Sequence, residues 1–174
     1  MSILKPSDFE SPDYFSLSLG ENEEARMQAW IDKYEQKYVL WLFGIKMGKL
    51  ILLDPGVSGN PWTNANYQKV WEAFQEVLTQ NRQAFSEGVI SILKTAIFYH
   101  YITETNIRHS TSGTVIDNED AGVTVDPSRL SENKWNTTLL NSWKAIQAYI
   151  LDNKINYPDF VYVYPPDARF QGII

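Results

Sequence analysis

The segment at residues 87–108 (EGVISILKTAIFYHYITETNIR) constrains the fold more than any other part of this sequence. At about 1.5 Å per residue it is long enough for about six helical turns. Projected as a helix, it has one wide apolar face, made of Val89, Leu93, Ala96, His100 and Ile107, with Ile90, Ile92, Ile97 and Tyr99 at its edges. Phe98 and Ile102, however, lie in the middle of the polar side. A helix that is apolar on both sides is buried on both sides, so another helix, the chain's own arm or a second copy of the protein covers the second face.

The composition indicates a single globular domain of 174 residues with a net charge of −6. That charge argues against a general nucleic-acid binder, which would carry a basic patch. The absence of cysteine excludes a disulfide framework and a thiolate zinc site. No apolar run reaches membrane-spanning length, and the first residues lack the pattern of a signal peptide. We therefore expect a soluble protein that is not exported by the general route.

Helical periodicity predicts four main helices that pack as an antiparallel bundle, at residues 25–43, 67–82, 87–108 and 127–153. Asn22 is expected to cap the first helix, and Gly44 suits the position that ends it. A short helix is predicted at residues 45–53, and a strand-like run at residues 160–164 within an extended C-terminal tail. Residues 1–24 are expected to form an N-terminal arm, either extended or a disordered leader, before one domain at residues 25–174.

Residues 110–125 (STSGTVIDNEDAGVTV) have a different character from the helices. Two β-prone pieces flank a turn-rich centre, which predicts a β-hairpin between two helices, with a mobile loop as the alternative. An isolated two-stranded hairpin is marginal in water, so we expect this one to pair with another subunit. The predicted fold is therefore mainly α with a β-hairpin excursion. The predicted interface residues are Phe98 and Ile102 on the central helix and Thr114, Val115, Ile116, Val123 and Val125 in the hairpin.

The sequence contains few candidates for chemistry. His100 lies on the apolar face of the central helix with Glu104 one turn later, which suits either a general base with its orienting carboxylate or a buried structural histidine; the structural role is favoured. The acids Asp117, Glu119 and Asp120 do not match a calcium-binding loop. The tryptophans lie mostly on helix core stripes, which does not favour a sugar-binding surface. We expect no catalytic residue, no metal and no cofactor.

Three stretches resemble a known family. The run WIDKYEQKYVLWLFG at residues 30–44 resembles the opening helix of small head–tail connector proteins of tailed phages, especially those of Bacteroides-type hosts and the crAss-like group. In that family this helix is followed at once by a short one, as residues 45–53 follow here. SILKTAIFYHYITETNIRHSTSGTV at residues 91–115 resembles the next block, an aromatic helix that leads into a threonine- and glycine-rich excursion. The helix containing LLNSWKAIQAYI and the ending FQGII also resemble the family.

The resemblance implies a structural protein without an active site. Such subunits form a ring, usually of twelve copies, below the phage portal, where they extend the DNA channel and join the head to other neck or tail proteins. DNA would pass without specific binding, because a chain with net negative charge repels the phosphates that a basic patch would hold. The expected location is the virion neck, after assembly in the bacterial cytoplasm, with no membrane contact. The alternative is a small helical binding module or enzyme that uses a pocket at His100 and Glu104.

Overall fold

The computed structural model describes residues 3–10, 21–53, 65–79, 82–110 and 127–165, with the backbone alone at residues 21–23, 65, 104–110 and 127–130. In these residues the fold is mainly α with one two-stranded antiparallel hairpin, which confirms the predicted fold class. Its long helices are α1 (Glu21–Phe43), α4 (Gly88–Ser110) and a final helical run from Pro127 to Asp152. The shorter elements are α2 (Ile45–Leu53), α3 (Ala65–Trp71), β1 (Phe74–Leu78), β2 (Arg82–Ser86) and two 3-10 turns, Pro6–Phe9 and Lys154–Asn156.

Ring contacts show that the long helices are antiparallel neighbours. Tyr34 of α1 stacks on His100 of α4, with ring centroids 3.8 Å apart. Tyr99 of α4 packs against Trp135 at a centroid distance of 4.6 Å, while the backbone N–H of Glu87 donates to Ser142 Oγ further along the final helical run. The predicted antiparallel bundle is therefore present, but in the described part of the chain three long helical elements build it instead of four.

The prediction of a helix at residues 67–82 is wrong beyond Trp71. The backbone leaves α3 and enters the β1–β2 hairpin, in which Phe74 pairs with Ser86 and Leu78 pairs with Arg82. The inner face of the hairpin presents Phe74, Leu78 and Ala84, all buried, and β2 packs against the final helix. The outer face presents Val77 and Phe85, which are 67% and 61% exposed. The interval between the predicted helices at residues 67–82 and 87–108 is thus part of strand β2.

Two glycines make sharp turns that only a residue without a Cβ tolerates well. Gly44 has φ +77° and lets α2 turn back against α1, as expected for a glycine at a helix end. Gly88 has φ +85° at the start of α4. A Cβ at Gly88 would lie 2.4 Å from the carbonyl oxygen of Trp71, so the hairpin returns the chain directly against the end of α3.

The final helical run contains α5 (Pro127–Lys134), a π-helical turn (Trp135–Leu139) and α6 (Leu140–Asp152). The predicted helix at residues 127–153 agrees with the extent of this run, but the π-helical turn within it was not predicted. Trp135 and Leu139 are fully buried. After α6, residues 157–165 form irregular backbone, so the predicted strand at residues 160–164 is wrong. Gln147 holds this segment by donating from Nε2 to the carbonyl of Val163 at 2.7 Å and to that of Leu42 at 3.4 Å.

The described part of the N-terminal arm, residues 3–10, packs against α1 and α4. Leu4 and Phe9 are buried in the same core as the bundle. Residues 3–10 are therefore part of the folded domain. The first helix begins at Glu21, one residue before the expected Asn22 cap. The predicted hairpin at residues 110–125 lies outside the described residues, except for Ser110, which ends α4.

Candidate assembly surface

His100 lies inside an aromatic cluster, which comprises Trp30, Tyr34, Tyr38, Tyr99, Tyr101 and Trp135. Its imidazole is 8% exposed and stacks nearly parallel to the Tyr34 ring, with an interplanar angle of 4°. Its Nε2 lies 2.9 Å from the hydroxyl of Tyr38, so this nitrogen is engaged by α1. The predicted burial of His100 is confirmed. The side chain of Glu104, the proposed partner, lies outside the described side chains.

Tyr99 is a titratable member of this cluster, and its ring packs on Trp135. Burial raises the pKa of Tyr99 above its ordinary value, and the negative charge of Glu132 raises it further. Both causes favour the neutral phenol. The cluster therefore packs α1, α4 and the final helical run together through aromatic contacts.

The described chain buries Phe98, which is only 1% exposed. Lys94 lies one turn before Phe98 on α4, and its Nζ is 3.6 Å from a carboxylate oxygen of Asp8 in the arm. The burial of Phe98 and the contact between Lys94 and Asp8 agree with the alternative in which the chain's own arm covers the second apolar face of α4. Phe98 therefore has almost no exposed surface for contact with a neighbouring subunit. Ile102 is half-buried against the core and keeps some exposed surface. The other predicted interface residues, Thr114, Val115, Ile116, Val123 and Val125, lie outside the described residues.

A buried carboxylate fastens the arm to α1. Glu35 is 6% exposed, and its two oxygens accept hydrogen bonds from the backbone N–H groups of Ile3 and Leu4 at 2.7–3.0 Å. Charge-assisted hydrogen bonds of this kind are stronger than neutral ones. Asp8 also accepts from the N–H of Lys5 at 2.8 Å, which closes the 3-10 turn. The arm is therefore held by defined polar contacts as well as by apolar burial.

The large apolar side chains that the described residues expose gather in one half of the bundle. They lie on α2, on the outer face of the hairpin, at the end of α6 and in the segment after it: Ile45, Leu50, Leu53, Val77, Phe85, Leu151, Ile155, Val161, Tyr162 and Tyr164. All these elements surround the end of the bundle where α1 and α6 finish and α4 begins. Because exposed apolar patches mark interaction sites in soluble proteins, the members of this set that lie on contacting segments are the candidate surface.

Part of this set lies on three segments that contact one another, and we call it the apolar end: Ile45, Leu151, Val161, Tyr162 and Tyr164. The Cβ position of Gly44, next to Ile45, lies 3.1 Å from Val161 Cβ, and a salt bridge between Lys46 and Asp159 joins the same two segments. The rings of Tyr162 and Tyr164 meet edge to face at 5.5 Å. Leu151 and Tyr162 line one shallow hollow. The apolar end thus combines α2, α6 and residues 157–165.

The sequence contained a signal for this surface that we did not use. The α2 sequence, IKMGKLILL, is apolar on nearly all sides, like the central helix. Met47 and Ile51 are buried, whereas Ile45 and Leu53 point away from the core and are 69% and 81% exposed. A helix that is apolar on both faces must bury both against other elements. In α4 the chain itself buries the second face, whereas in α2 the second face stays exposed and is available to a partner.

Among the described residues, no group of histidine and acidic side chains is arranged to hold a metal ion. None of the described helices combines the length and hydrophobicity that crossing a membrane requires. Comparison of the chain with family models, curated proteins and solved structures found no match. The contacts and exposed surfaces described above are therefore the structural basis for a functional proposal.

Proposed function

We propose that this protein is a structural subunit of a head–tail connector ring in the neck of a tailed phage. The observation that carries the proposal is the apolar end, because a folded chain that exposes Ile45, Val161 and Tyr164 together has a surface suited to contact with another protein. In this proposal the ring attaches below the portal, extends the DNA channel and joins head to tail. Its partners are copies of itself, the portal and other neck or tail proteins.

The energetics support assembly through this surface. Fully burying one large apolar side chain contributes roughly 1.5–3 kcal/mol. Tyr164 is 80% exposed, so most of that contribution remains for a partner to supply. In a closed ring every subunit repeats the same contact, so a modest interface stabilises the whole assembly.

The order of helices supports the connector class. The family resemblance at residues 30–53 predicts a long helix followed at once by a short one, and α1 is separated from α2 by Gly44 alone. The resemblance at residues 91–115 predicts an aromatic helix, which α4 matches up to Ser110. The net charge of −6 suits a channel through which DNA slides without being held.

Mass measurement tests the proposal directly. The purified chain is examined by mass photometry over a range of concentrations, alone and with the portal protein of the same phage. Discrete ring-sized species are expected in at least one condition. An unchanging monomer in both conditions would refute the proposal, as would native particles in which imaging shows no density for this chain in the neck.

A pair of variants links assembly to the apolar end. Val161→Ser with Tyr164→Ser removes two exposed side chains and should abolish ring formation while leaving the circular-dichroism spectrum and melting temperature unchanged. Val77→Ser is the matched control, because Val77 is exposed to a similar extent as Val161 but lies on the hairpin's outer face. Equal assembly by the double variant and the control would remove the support that this surface gives.

A further inference from the structure

A groove runs between the hairpin and α6, next to the apolar end. Its first part, about 260 Å³, is lined by Leu78, Arg82, Gln83, Ala84, Phe85, Asn141, Lys144, Ala145 and Ala148. Its second part, about 440 Å³, continues along α6 and is lined by Arg82, Lys144, Gln147, Ala148, Leu151, Asp152 and Tyr162. Arg82, Lys144 and Ala148 belong to both parts, which makes the two hollows one groove.

Two cations dominate the charge of this groove. In the first part Arg82 and Lys144 are the charged side chains, with no acid beside them. Neither cation takes part in a salt bridge within the described ranges, where the pairs involve Lys46, Lys69 and Lys94. The groove is therefore positive on a chain whose net charge is −6.

The acid in the second part, Asp152, already has a partner. Its Oδ2 accepts a hydrogen bond from the N–H of Thr79 at 3.0 Å. Hydrogen bonds from the side chain and backbone of Thr79 hold the pKa of Asp152 below its ordinary value, and the charge of Arg82 adds to this. Asp152 thus fastens the turn end of the hairpin to α6, and it leaves Lys144 to face whatever enters the groove.

We propose that this groove binds the acidic segment around residues 117–120 of a neighbouring copy of the same chain. Residues 111–126 carry four acids and no base, and Asp117, Glu119 and Asp120 lie at the centre of that segment. Apolar residues flank the acids in sequence, as Phe85 and Tyr162 flank the cations in the groove. The occupant and the groove therefore match in charge and in the placing of apolar groups. This inference rests on the proposed ring function and names the contact between its subunits.

The acidic segment is anchored at the opposite end of the bundle from the groove. Residues 111–126 connect Ser110, the end of α4, to Pro127, the start of α5, and these two helices pack together. Even fully extended, acids seven residues from either anchor project about 23 Å at about 3.3 Å per residue. Along the final helical run, Lys144 lies about 25 Å from Pro127 and Leu151 about 36 Å, at about 1.5 Å per residue. A neighbouring copy therefore presents the acids to the groove more readily than the chain's own fold does.

This arrangement has the symmetry that a ring needs. A contact between two different patches on the same protein is heterologous, and repeating it generates a closed ring when the rotation closes. A contact between two identical patches would stop at a dimer instead. A segment anchored at one end of the bundle and a groove at the other end thus supply the head-to-tail contact of the proposed ring.

Complementary charge reversal in two separate copies tests the inference. One variant reverses the groove (Arg82→Glu with Lys144→Glu), and the other reverses the acids (Asp117→Lys, Glu119→Lys and Asp120→Lys). Each variant alone pairs like charges at every contact, and its half-assembly concentration should rise at least tenfold. In an equimolar mixture every contact between unlike copies pairs opposite charges, so rings in which the two variants alternate should form. The readout is mass photometry at low and moderate salt, with circular dichroism to verify folding of each variant.

Three outcomes separate the possibilities. Rescue by the mixture supports the contact between copies. If each variant is impaired and the mixture is not rescued, or if neither variant is impaired, the inference is overturned while the ring function stands. Lys49→Glu with Lys154→Glu is the matched control, since it makes the same charge change at exposed positions outside the groove, and it should assemble normally.

The groove can also be tested if the unmodified chain forms no rings at all, an outcome that would refute the ring function itself. A labelled peptide of residues 111–126 is titrated with the full-length protein, and the same peptide with amides in place of its three central acids is the control. Binding of the acidic peptide that Arg82→Glu with Lys144→Glu abolishes supports the groove's specificity. Equal binding of both peptides, or of neither, overturns it.

Discussion

Replacing Phe98 by alanine removes an aromatic ring from a face of α4 that its sequence pattern would place in solvent. In the structure this side chain is 1% exposed. Truncating a buried phenylalanine to alanine costs about 3–5 kcal/mol, from the lost transfer free energy and the cavity that remains. For a domain of this size, 1 kcal/mol corresponds to a shift of about 2–4 °C in melting temperature. Phe98→Ala should therefore lower the melting temperature by about 6–20 °C.

The assays are thermal melting and urea unfolding of the monomer, both followed by circular dichroism at low protein concentration, so that assembly does not contribute to stability. Phe85→Ala is the matched control: it makes the same chemical change at a ring that is 61% exposed on the hairpin's outer face. The control should change the free energy of unfolding by no more than about 0.5 kcal/mol. If Phe98→Ala were as mild as the control, the second face of α4 would not be covered in the free chain, and a neighbouring subunit would have to cover it.

Three further predictions test the contacts that hold the fold. Gly88→Ala should lower the free energy of unfolding by about 2–5 kcal/mol, because of the positive φ and the clash with the backbone at the end of α3. Gly44→Ala should cost clearly less, since its Cβ would meet Val161 at 3.1 Å. Equal losses of stability in urea unfolding would contradict this geometry. Tyr38→Phe removes the hydroxyl beside His100 and should cost about 1–3 kcal/mol in the same assay, whereas unchanged stability would mean that this hydrogen bond is absent in solution. Glu35→Gln should speed hydrogen exchange at the amides of the arm by at least tenfold without unfolding the bundle, and unaltered exchange would show that Glu35 does not hold the arm.

The long helices could be predicted from the sequence because each has an apolar stripe sustained over many turns. The positions of α1, α2 and α4 agree with prediction to within four residues, and Gly44 has the backbone conformation expected of a helix end. His100 was expected in the core and is found there. An apolar stripe of this length predicts a helix reliably, because an amphipathic helix must bury that stripe wherever it packs.

The β1–β2 hairpin was missed because a short apolar run does not distinguish the helical repeat of 3.6 residues from the strand repeat of two. Phe74 and Leu78 are four residues apart, a spacing that puts them on one face of a helix and also on one face of a strand. Val77 decides between the two: a helix would place it beside Phe74, whereas in β1 it points to the solvent, on the opposite face from both. Its partner β2 supplies the pairing that makes the strand, and that long-range contact is not visible in the local pattern.

The candidate surface depended on tertiary information in the same way. The sequence shows that α2 has apolar residues on all sides, but only packing decides which of them remain exposed. Ile45 and Leu53 remain exposed to solvent because α2 turns back on α1 with Met47 and Ile51 facing the core. Arg82 and Lys144 are 62 positions apart in the chain and meet in one groove because β2 lies on α6. No local pattern would have joined them.

The attachment of the arm to Glu35 has a consequence for how this protein varies during evolution. The carboxylate contacts the main-chain N–H groups of Ile3 and Leu4, and every residue except proline carries that group. Exchanges of the side chain at position 3 therefore leave the contact intact, while the acid at position 35 has no equivalent substitute. Homologous chains should retain an acid on α1 opposite arms whose sequences have diverged, with proline absent from the two positions that donate. An invariant Glu35 facing an arm without sequence conservation would be the signature of this contact.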